Sequence, residues 1–247
     1  MIGGTAFVNY YGMTPNLTTP QNIIHSTSID PDEAKKAFED FIENEMFPCV
    51  AAKAALNKDH LKTFVAGHIA CPKDDHQILE FIYDFVDGYR NSDAPFHSAC
   101  VIFPEAEGLN EEFFERFLWM RLQALSNLDS EKYPYDKRVS DEPHSENFSF
   151  SLKEEAFFII GLSPFSPREA RRFQYPALVF NPHHQFEEMR SLRRYDKMKN
   201  IVRKRDIALS GSINPMLNDF GDASEAYQYS GMKYDSNWEC PFKYKSI

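Results

Sequence analysis

Three short stretches carry side chains whose types and spacing could do chemistry. In "NPHHQFEE" (181–188), His183, His184, Glu187 and Glu188 stand where an apolar run hands over to a helical one. His183 and Glu187 are one helical turn apart, so an imidazole and a carboxylate can face one ligand; helix capping and metal ligation both fit. "FPC" (47–49) puts Cys49 at a helix start. Unpaired amides and the helix dipole there favour a thiolate, the form that ligates metals or attacks as a nucleophile. The same thiol would serve equally as a small apolar core residue. "SPREARRF" (166–173) spaces Arg168, Arg171 and Arg172 three to four residues apart. Such a face can grip carboxylates or phosphates by paired hydrogen bonds, or form a solvated stripe.

Several common chemistries are missing. The chain has no HExxH, P-loop, GxGxxG or EF-hand loop. Its four cysteines, Cys49, Cys71, Cys100 and Cys240, are widely spaced with no CxxC pair, which argues for thiols and against a zinc site. Net charge is −10, which disfavours general nucleic-acid affinity. The balance is nonetheless uneven: residues 168–205 hold eleven Lys/Arg against four Asp/Glu. A basic segment in an acidic protein implies a local anionic partner or a helix face paired with the acidic remainder.

The elements that must position these residues follow from periodicity. "DPDEAKKAFEDFIENEMF" reads as a helix with an Asp cap, Pro at its first position and Phe38, Ile42 and Met46 four apart. "LKTFVAGHIA" and "HSACVIFP" read as strands, separated by a helix with Ile78, Ile82, Phe85 and Tyr89 on one face. "NEEFFERFLWMRLQAL" is a third clear helix, and 127–147 a polar loop. "NFSFSL" and "EAFFIIGL" predict a hairpin about "KE", "PALVF" a further strand, and residues 186–205 one long helix. The last forty residues show almost no period, and so long an irregular segment is often functional. The order implies one α+β domain, a mixed sheet flanked by helices over residues 31–247, with residues 1–30 as an arm packed on it. No apolar run is long enough to span a membrane and the first residues do not read as a signal peptide, so a cytosolic protein is expected.

Seven stretches in order resemble one family: "FPC", "LWMRLQAL" (118–125), "FFIIGL" with "REARRF" (157–173), "LVFNPHHQFE" (178–187), "GSINPMLNDFG" (211–221), "EAYQYSG" (225–231) and "WECPF" (238–242). This pattern is similar to the YqcI/YcgG family, whose members include haem-dependent N-hydroxylases of arginine and its derivatives in natural-product pathways. The resemblance implies a haem b monooxygenase acting on a small guanidine substrate, with O2 and electrons from an external donor or reductase. It implies neither nucleic-acid nor membrane partners and admits a homodimer. Under it, Arg168, Arg171 and Arg172 would hold haem propionates, and Cys49 would be the axial iron ligand ahead of His183, with His184 and Cys240 also at the cofactor. Glu187 would pair with the guanidinium, supported by Asn214, Asp222 and Glu225. Ser163 stands where the hydroxylase branch often has histidine. The rival expectations are a haem sensor or carrier without turnover, and a scaffold docking an acidic partner through the basic helix.

Overall fold

The computed structural model describes residues 29–105, 108–213, 220–235 and 237–245. Most of the expected arm therefore lies outside the described residues. Among them, two helices open the chain: α1 (Pro31–Glu43) and α2 (Val50–Asn57). Asp30 caps α1 by accepting the Asp32 amide at 3.0 Å, and Ala34, Phe38 and Ile42 bury one stripe of it. Strand β1 (Leu61–Val65), α3 (Asp75–Arg90) and β2 (Ser98–Ile102) follow, then α4 (Glu111–Asp129) and the hairpin β3 (Phe150–Leu152) and β4 (Glu155–Leu162). A 3-10 turn (Glu169–Arg171) leads to β5 (Ala177–Pro182), α5 (His183–Ser191), α6 (Tyr195–Ser210) and the short α7 (Ala226–Tyr229). No helix among the described residues is long and apolar enough to cross a membrane.

The strands form one mixed sheet, in the order β1-β2-β5-β4-β3. Only β1 and β2 run parallel, which is what the crossover through α3 allows. Alternation sorts the side chains to two faces. Cys100, Val179 and Ile160 lie in register on one face, in the cluster that α1 completes with Phe38 and Ile42. Val101, Leu178 and Gly161 lie in register on the other, covered by α3, α4 and α7. Cys240 and Phe242 belong to this second cluster, so the periodless segment supplies core. Burying bulky apolar groups on both faces gives one α+β domain, as the element order implies.

Two local features differ from expectation. The long helix predicted over 186–205 is two helices, α5 and α6. Arg193 takes a left-handed φ of 56° between them, and the Arg194 amide donates back to the Met189 carbonyl at 2.9 Å, a Schellman-type closure without glycine. The arginines of 168–172 occupy an extended residue and a 3-10 turn rather than an α-helical face, so their side chains diverge.

Candidate functional site

Between the α1 face of the sheet and helices α1, α2 and α6 lies an apolar slot of about 250 Å³. Phe158, Ile160 and Leu162 of β4, Val179 and Asn181 of β5, and Ser98 of β2 form its floor; Phe38, Ile42 and Phe47 close one side. Helix α6 lays Tyr195, Met198, Lys199, Val202, Arg203 and Asp206 along the opposite side. These positions follow the three-and-four spacing of one helix face. The break at Arg193 is what turns that face inward.

Cys49 lines the slot as the N-cap of α2, its Sγ accepting the Ala52 amide at 3.5 Å. The position agrees with the sequence reading, but the electrostatics do not. Apolar surroundings push the thiol's pKa up, outweighing the Ala52 and Ala51 amides that pull it down. Burial wins over the helix start, so the slot presents a neutral thiol.

Cations gather on the slot's far wall. Arg168 donates to Asp206 at 2.6 Å and to the Ser212 carbonyl at 2.7 Å. Arg171 is buried and donates to the Tyr229 carbonyl at 3.1 Å; burial, then the neighbouring Arg168, lowers its pKa to about 10. Arg203 has a buried Nε without a hydrogen-bond partner. Arg168, Arg171 and Arg203 all line the slot. Arg172 does not: it is exposed and ion-paired with Glu169.

The two histidines part company. His183 is buried, its Nε2 3.6 Å from Glu225 Oε1 and its ring 4.2 Å from Phe220. Burial lowers the imidazole's pKa to about 4 and raises the Glu225 carboxyl to about 8, so both sit neutral near pH 7. Tyr229 donates to Glu225 Oε2 at 3.4 Å and accepts the Phe150 amide at 2.9 Å, fastening α7 to the hairpin. His184 points elsewhere, into an open polar cleft of about 550 Å³ with Arg90, Arg138, Glu155 and Glu188. Neither histidine lines the slot; Gln185 and Phe186 of the same helix do.

The other expected residues among those described also lie apart from it. Glu187 is exposed and ion-paired with Arg190. Asp222 is exposed. Cys240 is buried in the opposite core, where apolar surroundings raise its pKa to about 12. Asn214 lies outside the described residues. Ser163 is buried in a turn, its amide donating to the Arg171 carbonyl at 3.0 Å and its hydroxyl accepting the Phe165 amide at 3.2 Å. Among the described residues, no group of three or more His, Cys, Asp and Glu is arranged to hold a metal ion.

The sequence reading missed Arg203, Asp206, His97 and Gln185. Gln185 clamps the His97 backbone, accepting its amide at 2.9 Å and donating to its carbonyl at 3.2 Å. The His97 ring stacks on His60 at 4.4 Å; burial, then His60, holds it at a pKa of about 4. The signal for Arg203 and Asp206 was present in the pattern Tyr195, Met198, Val202 and Asp206.

The model of the YqcI/YcgG family matches residues 38–243. The Bacillus subtilis (strain 168) protein called "Uncharacterized protein YqcI" is 27% identical over 207 residues, covering 79% of this chain and 80% of that protein. No solved structure matches.

Proposed function

The chain belongs to the YqcI/YcgG family, and from that premise we propose that its slot holds haem b and that the protein hydroxylates a guanidine nitrogen of arginine or a close derivative. One observation carries this reading: a thiol and three arginines share one apolar slot. That donor set fits a macrocycle with an apolar body, an iron taking one protein ligand and acidic side chains at an edge. Cys49 would hold the iron through its sulfur. Arg168, Arg171 and Arg203 would take the propionates, and the partnerless Nε of Arg203 is a donor that a carboxylate would satisfy. A slot of about 250 Å³ is smaller than the ~300–1,000 Å³ of typical ligand pockets, so loading requires its walls to part.

When bound, haem supplies the activation of O2; the chain's own groups bind, orient and keep water out. Asp206 is a carboxylate in the slot that already receives one guanidinium, that of Arg168, and can receive the substrate's in its place. This supersedes Glu187, which is exposed and paired with Arg190. Phe158, Ile160 and Val179 keep the floor apolar and strengthen that charge pairing. A second reading, a haem carrier without turnover, uses the same slot. It is favoured by the raised pKa of Cys49, because burial disfavours the thiolate form on which O2 activation would draw.

The test is an absorption spectrum of the chain expressed with haem supply, followed by arginine titration and by product analysis with O2 and an external reductant that supplies two electrons per turnover. A Soret band, an arginine-induced shift and a hydroxyguanidine product are expected. The ferrous carbon monoxide complex should show the long-wavelength maximum of thiolate ligation, lost in Cys49→Ala. A shift without product selects the carrier, and a chain that stays colourless with added haem removes both readings.

A further inference from the structure

Helix α6 has two faces of opposite character. The inner one lines the slot through Met198, Val202, Arg203 and Asp206. The outer one exposes Lys197, Ile201 and Lys204, again at three-to-four spacing, and the turn before it exposes Leu192, Arg193 and Arg194. None of these four cations forms an ion pair among the described residues, whereas neighbouring Arg190, Lys199 and Arg168 are each paired. Leu192 and Ile201 are 54% and 39% exposed in their midst. A patch of unpaired cations around an apolar centre, on a protein of net charge −10, is built for a local anionic partner. A long polyanion such as nucleic acid would run past the patch and meet repulsion from the acidic remainder, whereas a small partner can be confined to the patch.

We propose that this outer face of α6 docks a small acidic protein that carries single electrons. The proposal rests on the haem reading and adds the route by which electrons reach the slot. Hydroxylation by one O2 turns N–H into N–OH, consumes two electrons and two protons and releases one water; two carrier molecules are each oxidised once. A partner on the outer face stands one helix diameter, about 10 Å, from the slot. Redox encounters bury little area and rely on charge steering, which four cations and two apolar side chains suit.

The test uses a plant-type [2Fe–2S] ferredoxin, enzymatically reduced, mixed anaerobically with the haem-loaded chain under carbon monoxide. The readout is the rate of the ferrous carbon monoxide spectrum. In the unmodified chain this rate should fall about tenfold between low and physiological salt, as steered association does. Lys197→Glu/Lys204→Glu should be at least tenfold slower at low salt and insensitive to salt, while reduction by dithionite stays equal in both chains. Equal ferredoxin rates, or an equal slowing with dithionite, overturn the proposal. So does displacement of ferredoxin by a short DNA duplex at matched salt. If the chain takes up no haem, the functional reading falls separately, and calorimetric titration of oxidised ferredoxin then decides the surface. Salt-sensitive binding lost in the double variant supports it; no binding overturns it.

Discussion

At Glu225 burial keeps a carboxyl group neutral well above its usual range, and this gives stability a definite pH dependence. Its pKa is about 8 in the folded chain, so the unfolded chain loses the proton first as pH rises. Stability contributed by the neutral acid is complete below about pH 4.5, declines from there to about pH 8, and is flat beyond. Glu225→Gln, uncharged at every pH, should flatten this arm and be more stable to unfolding than the unmodified chain above pH 8, by on the order of 2–4 kcal/mol. Equal melting curves at pH 8.5 would show that ionising the carboxyl carries no burial penalty. His183, lowered to about 4, acts oppositely: its share of stability is lost as pH falls from 6.5 towards 4. The arginines give a second comparison at this scale. Arg168→Glu should weaken haem binding at least tenfold, since losing one charge-assisted hydrogen bond costs about 1.5–3 kcal/mol. Arg172→Glu, outside the slot, should leave affinity unchanged; equal losses in titration would refute the assignment. The sequence made Cys49 and Arg168 visible because helix starts and clustered cations are local signals. It could not separate His183 from His184, because which of two adjacent side chains turns inward depends on the partner, Glu225, 42 residues away.

Among the elements, the hairpin and the helix pair show where local chemistry wins and where packing overrides it. Lys153 and Glu154 both adopt left-handed φ, 52° and 56°, the geometry of a two-residue hairpin turn without its usual glycine. Glu154 is exposed, so Glu154→Gly should relieve that conformation and raise stability by about 1 kcal/mol in denaturant titration. At Gly161 the opposite holds. A Cβ there would meet Leu118 Cδ1 and the Tyr229 carbonyl, each at 2.8 Å. Gly161→Ala should therefore cost about 1–3 kcal/mol, by prising α4 and α7 from β4. The hairpin was legible because alternation and turn length are local. The break between α5 and α6 was not, because Arg193 carries no glycine or proline signal and the kink serves two faces that bury different partners.

Across the whole molecule, the α+β class and mixed sheet were legible from element order, whereas the slot was not. Its walls come from α1, α2, β4, β5 and α6, which periodicity describes singly and never together. The four cysteines are distributed among those layers: Cys71 is exposed, Cys49 half-buried at the slot, and Cys100 and Cys240 buried in opposite cores. Their consequence is a set of built-in reporters of opening. An alkylating reagent should consume Cys71 at once. Cys49 should follow at the rate at which the slot breathes, and a ligand seated there should slow it selectively. Cys100 and Cys240 should react only through openings of their own halves of the core. Matching rates at those two would mean that the sheet's faces come apart in one cooperative event. Faster alkylation at Cys240 would mean that the segment carrying it peels away first.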